Sequence, residues 1–119
     1  MALRRFIIEV GMGVDQHGQD HTRAAEKAVQ DAIQRSCLCG LKEVVGLKNP
    51  ADMLVEVLIG CPRPETVDQE KVLKTLPFGQ KKIEVRQGGL LGKTLFQPEL
   101  GDTTDELIIA NAIVNVYVP

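Results

Sequence analysis

Aromatic rings and histidines are scarce in this sequence. Across 119 residues there is no tryptophan, one tyrosine (Tyr117), three phenylalanines (Phe6, Phe78, Phe96) and two histidines. So few rings exclude the stacking platforms on which single-stranded nucleic acids are bound. An excess of positive charge is missing too: 14 Lys and Arg against 16 Asp and Glu give a net charge of −2, and Lys81-Lys82 is too short to serve as a basic patch. No apolar run approaches the length of a bilayer span, since runs such as Met53-Leu54-Val55 and Leu107-Ile108-Ile109-Ala110 stop after a few residues. The three cysteines (Cys37, Cys39, Cys61) are an odd number without a framework of spaced pairs, so they read as reduced thiols. Arg4 and Arg5 precede a stretch of only three apolar residues before Glu9, which is too short for a signal peptide. The expectation is a cytoplasmic protein with neither nucleic-acid nor membrane partners.

What is present is an ordinary globular composition, 44% hydrophobic and 25% charged, at a length suited to one domain spanning 1–119. Period-two alternation over Phe6, Ile8 and Val10 predicts a first strand with these residues turned to the core, running into a glycine bend at Gly11-Met12-Gly13. From about Asp20 the period becomes helical. Ala24, Ala25, Ala28, Val29, Ala32 and Ile33 form one stripe, and Gly40 offers a stop. Glu43 to Leu47 reads as an optional short strand, and Met53 to Ile59 as a full one ended by Pro62 and Pro64. A capping-box pattern at Thr66-Val67-Asp68-Gln69 opens a short second helix through Val72 and Leu76. Lys81 to Gln87 reads as a strand, Gly88 to Gly101 as an irregular loop, and Leu107 to Val118 as a long strand central in the sheet.

This order predicts an α+β two-layer sandwich, β-α-(β)-β-α-β-β, with two helices on one face of a mixed four- to five-stranded sheet. Alternation then puts Ile7, Glu9, Leu54, Glu56, Leu58, Glu84, Arg86, Asn111, Ile113, Asn115 and Tyr117 on the other face. That mixture of apolar and polar residues fits a contact between subunits, so a homo-oligomer, a trimer or larger, is expected.

Both histidines lie beside Asp15, in Gly11-Met12-Gly13-Val14-Asp15-Gln16-His17-Gly18 and the following Gln19-Asp20-His21. Three readings stay open. Asp15, His17 and His21 supply the oxygen and imidazole donors that zinc or manganese accepts, with an activated water in an open position. Without a metal, the loop lies before a helix N-terminus that attracts an anion, and His17 or His21 acts as general acid or base. The plainest reading makes Asp15 or Asp20 a helix cap. Gly11, Gly13 and Gly18 permit close backbone approach to a ligand. Gly88-Gly89-Leu90-Leu91-Gly92-Lys93-Thr94 lacks the first glycine of a phosphate-binding loop, since Gln87 stands there, yet Lys93 can close over an anionic ligand.

Gly11, Gly13, Asp15, His17 and Gly18 fit G-x-G-x-D-x-H-G, and on that signature the chain resembles a small conserved hypothetical family of bacteria, cyanobacteria and plants. The likeness extends over most of the chain and implies no particular activity. The same loop is similar to the metal loop of methylerythritol cyclodiphosphate synthase, a trimeric α+β lyase. That resemblance implies that Asp15 and His17 hold a divalent metal, although this chain has no histidine after His21. Together these readings point to an oligomeric protein that binds a small anionic metabolite at the loop of Asp15, His17 and His21. A metal-assisted hydrolase or lyase is the first enzyme class to test, and a non-catalytic ligand-binding or regulatory module, or a structural assembly protein, is the alternative.

Overall fold

The computed structural model describes residues 2–119. In chain order it contains β1 (Arg4–Asp15), α1 (His21–Gln34), the single turn α2 (Gly40–Glu43), β2 (Leu54–Cys61), α3 (Gln69–Leu73), β3 (Gln80–Gln87), β4 (Leu90–Lys93) and β5 (Glu106–Val118). The strands make one mixed sheet in the order β1-β5-β2-β3, with β4 also paired to β5. β5 runs antiparallel to β1 and β2, while β2 and β3 are parallel. The expected two-layer α+β sandwich with a central last strand is therefore observed. The core lies between sheet and helices: alternate residues of β5 from Ile108 to Val118 are buried, together with Val55, Val57, Ile59 and Cys61 of β2 and the alanine stripe of α1.

Three local expectations are corrected. The segment Glu43 to Leu47 is not a strand. The N–H groups of Val44 and Val45 bond back to the Gly40 carbonyl and that of Leu47 to the Leu41 carbonyl, so a helical turn satisfies the backbone while Leu41, Val45 and Leu47 pack on the core. Gly40 consequently opens α2 instead of ending α1, which stops at Gln34 with Arg35 as its cap. The glycine-rich loop also contains a strand: Leu90 to Lys93 pair with Ile109 to Glu106, extending along β5 the lane that β2 occupies beside residues 111–117.

The largest correction concerns β1. There is no glycine bend, because the strand runs through Gly11 and Gly13 to Asp15. Both glycines lie under α1, whose backbone approaches so closely that a Cβ at Gly11 would overlap the Ala28 carbonyl and the Ala32 amide, and one at Gly13 the Ala24 carbonyl and the Ala28 amide. Alanines on the helix and glycines on the strand thus remove the side chains that would hold the layers apart. With positions 11 and 13 turned to the helix, period two carries Glu9 and Asp15 inward as well, and a register shift between Arg5 and Ile7 adjusts the start of the strand. Glu9 is buried, not on the outer face as expected, and Ile7 packs against the core. Ile8, Val10 and Met12 are turned outward instead, at 52%, 60% and 52% exposure.

The outer face therefore carries an apolar band. Val10 stands opposite Ile113, which stands opposite Leu58 on its other side, and Leu90 faces Ile109. The molecule is also elongated, 51 × 24 × 18 Å, with a radius of gyration of 16.0 Å. A compact domain of this length has about 13.5 Å. Among the described residues no helix is long and apolar enough to cross a membrane.

Candidate functional site

The connection from β1 to α1, residues 16–20, is built around two carboxylates. Asp20 has an extended backbone and caps α1, accepting the Arg23 N–H at 3.2 Å. Buried Asp15 accepts the Asp20 N–H at 2.8 Å, so the end of the strand holds the start of the helix. Of the two expected caps Asp20 is the one that caps the helix, while Asp15 fixes the loop above it. Gly18 has φ +96°, and Gln19 at φ 51° is the one non-glycine among the described residues with a positive φ. That conformation costs about 1 kcal/mol or more. Side-chain bonds offset it: the Gln19 amide donates to the Glu106 carbonyl at 2.9 Å and to Asp102 at 3.0 Å, and its oxygen accepts the Thr103 N–H at 3.0 Å.

Asp102 is the hub. Its side chain is fully buried, yet it receives four donors: Gly18 N–H and Gln19 Nε2 on Oδ1, both at 3.0 Å, and Gln97 N–H and His17 Nδ1 on Oδ2, both at 2.9 Å. Burial works to raise the Asp102 carboxyl, but the bonds from His17, Gln97, Gly18 and Gln19 outweigh it and hold the group well below the usual carboxylate range. Because an ionised carboxylate only accepts, the proton of neutral His17 sits on Nδ1, and Nε2 is left as an acceptor. Nε2 takes no bond from any described residue.

His17 lines an open cleft with Val14, Asp15, Gln16, Arg23 and Lys27. Arg23 is exposed, its Nε 4.0 Å from Asp15 Oδ1. Lys27 donates to the Val14 carbonyl at 2.9 Å, and Asp31 accepts the Met12 N–H at 2.8 Å, so α1 side chains cover this part of the outer edge of β1. The cleft presents two cations and one imidazole beside a single carboxylate.

The other expected residues are placed elsewhere. His21 opens α1 and is 6% exposed, with its Nε2 buried and without a partner among the described residues. Burial, reinforced by Arg63, lowers its pKa against the opposing pull of the Gln19 carbonyl, Glu106 and Asp20, so at pH 7 it is neutral. Arg63 itself pairs with Glu106 at 3.6 Å. Asp15, His17 and His21 do not converge: among the described residues no group of three or more His, Cys, Asp or Glu side chains could hold a metal ion. Each already has its own place in the fold, Asp15 bonded to Asp20, His17 to Asp102 and His21 buried at the first position of α1. Gly11 and Gly13 are covered by α1, whereas Gly18 donates into the hub. Lys93 is exposed on β4 opposite Glu106 and bonds to no residue of the cleft.

Asp102 was not legible as a site residue. It lies 85 positions from His17 in a loop without periodicity, and its one local signal is the preceding Gly101, at φ +93°. Cys37 and Cys39 are exposed and Cys61 buried, all three free.

No curated protein matches the chain. A solved crystal structure from Nostoc punctiforme PCC 73102, described as an FtsZ-like protein of unknown function, is 48% identical, with a TM-score of 0.89 over 99% of this chain and 98% of that one. Residues 5–116 match the family described as Conserved hypothetical protein (Lin0512_fam), and the chain belongs to that family.

Proposed function

We propose that the protein binds a small anionic metabolite in the cleft between the end of β1 and the first turns of α1. Arg23 and Lys27 supply positive charge, and His17 Nε2 accepts or returns a proton beside the bound anion. The observation that carries this reading is the buried Asp102, which spends its full accepting capacity on holding the loop and orienting one imidazole toward a cationic cleft. If the ligand turns over, the reaction class is acid–base hydrolysis or elimination, in which a positioned histidine contributes roughly 10²–10⁴-fold. Without turnover the same site is that of a ligand-binding module.

Phosphate, pyrophosphate and citrate test this by thermal shift. A bound anion at one hundred times its Kd stabilises by about 2.7 kcal/mol. The expected result is a concentration-dependent rise in Tm that Arg23→Ala removes, this side chain being exposed and outside the core. Failure of every anion to raise the Tm, or an equal response from Arg23→Ala, overturns the proposal.

The outer sheet face supports a second element, association between copies of this chain. Its apolar band on an elongated molecule is what a subunit contact needs at its centre. Light scattering should give a mass above the monomer's 13.0 kDa, and Val10→Asp should return it to the monomer. A wild type that is monomeric at roughly 100 μM, which is ample for a μM interface, contradicts it.

A further inference from the structure

About 20 Å of strand separates Asp15 from Glu9, six residues back along β1, and there the helix-facing side of the sheet holds a second cavity. Its volume is about 270 Å³, just below the usual range of ligand pockets, so its occupant is compact. The walls are apolar, with Ile33 from α1, Leu41 from α2, and Met53, Leu76 and Phe78 from the segments around β2 and α3. The one ionisable group in this lining is Glu9, which is 6% exposed. Its carboxylate has a single partner, the Ser36 hydroxyl at 3.5 Å, at the outer limit of a hydrogen bond, and it forms no ion pair with any described residue. Burial raises its pKa accordingly.

The strand phase explains why position 9 points inward but not why a carboxyl stands there. An apolar side chain would suit the same walls, whereas a buried carboxylate without a counter-ion is costly. A ligand that brings the missing positive charge on an apolar body resolves both features. We propose that this cavity binds a small amine, its ammonium group paired with the Glu9 carboxylate and its apolar body against Ile33, Leu41, Met53 and Leu76.

Calorimetric titration with 2-phenylethylamine and with 2-phenylethanol, which has nearly the same shape and no charge, tests the proposal. The wild type should bind the amine at least roughly tenfold tighter than the alcohol, a difference of about 1.4 kcal/mol. Glu9→Gln should erase that preference, and Leu41→Trp, which fills the cavity and leaves Glu9 in place, should weaken both ligands. Equal affinity of the wild type for the two, binding of neither, or an amine preference that survives in Glu9→Gln overturns it. Should Glu9→Gln fail to fold, the wild-type comparison together with Leu41→Trp decides the question.

Discussion

Gly13→Ala should cost the fold about 3 kcal/mol or more, far above the average single substitution. The new methyl would meet the Ala24 carbonyl and the Ala28 amide, which are helix backbone and have no rotamer to change. Relief therefore requires α1 to lift from β1, exposing part of the alanine stripe and displacing Asp20, whose N–H is held by Asp15. For a domain of this size the loss corresponds to a Tm lower by roughly 10 °C or more. Gly11→Ala has the same geometry one helical turn further along, and the double variant should not fold, since a domain has only about 5–15 kcal/mol in hand. Gly92→Ala is the control: a Cβ there meets nothing within 4 Å, so its Tm should stay within about 2 °C of the wild type. Calorimetric melting of the wild type and the four variants checks the series.

Asp102→Asn should be the most damaging substitution at the candidate site, with a Tm lower by roughly 5–10 °C and loss of the anion response. All four partners of Asp102 are donors, two on each oxygen. An asparagine keeps one accepting oxygen and turns an NH₂ toward the other pair, so donors face donors whichever way the amide is placed. The pH dependence carries a second signature. A carboxyl held below its ordinary value of 3.8 in the folded chain binds fewer protons there than in the unfolded chain. Its stabilisation is complete above the unfolded pKa and disappears as pH falls through the lowered folded value. The wild type's advantage over Asp102→Asn should accordingly shrink as the solution is acidified from about pH 5 toward pH 2. A constant difference across that range would show that the carboxylate does not carry the hub.

Much of the architecture follows from periodicity in the sequence. The alanine stripe of α1 and the alternation in β2 and β5 each repeat often enough to mark an element, and the apolar length of β5 places it between β1 and β2. β4 leaves little periodicity in the sequence because Leu90 to Lys93 is a short strand set among glycines, and its pairing is determined by β5 far along the chain. The phase of β1 differs from the expectation for a physical reason. The apolar residues Phe6, Ile8 and Val10 mark a core face by composition, but the helix packs on glycine, which has no side chain for a periodicity argument to count. Once Gly11 and Gly13 are recognised as the contact, the inward positions of Glu9 and Asp15 and the outward apolar band follow together. At the site, His17 and Asp15 were legible because rare histidines cluster in one segment. The residues that hold the loop were not: Asp102 and Glu106 meet it through contacts more than 80 residues apart, which no local spacing encodes.

The most direct test of the account is the nitrogen NMR spectrum of the His17 ring, recorded with and without anions. Neutral His17 in the free protein should carry its proton on Nδ1, facing Asp102. Phosphate, pyrophosphate or citrate should shift the Nε2 resonance in the wild type but not in Arg23→Ala. A proton on Nε2 in the neutral ring, or an Nε2 resonance indifferent to all three anions, would contradict it.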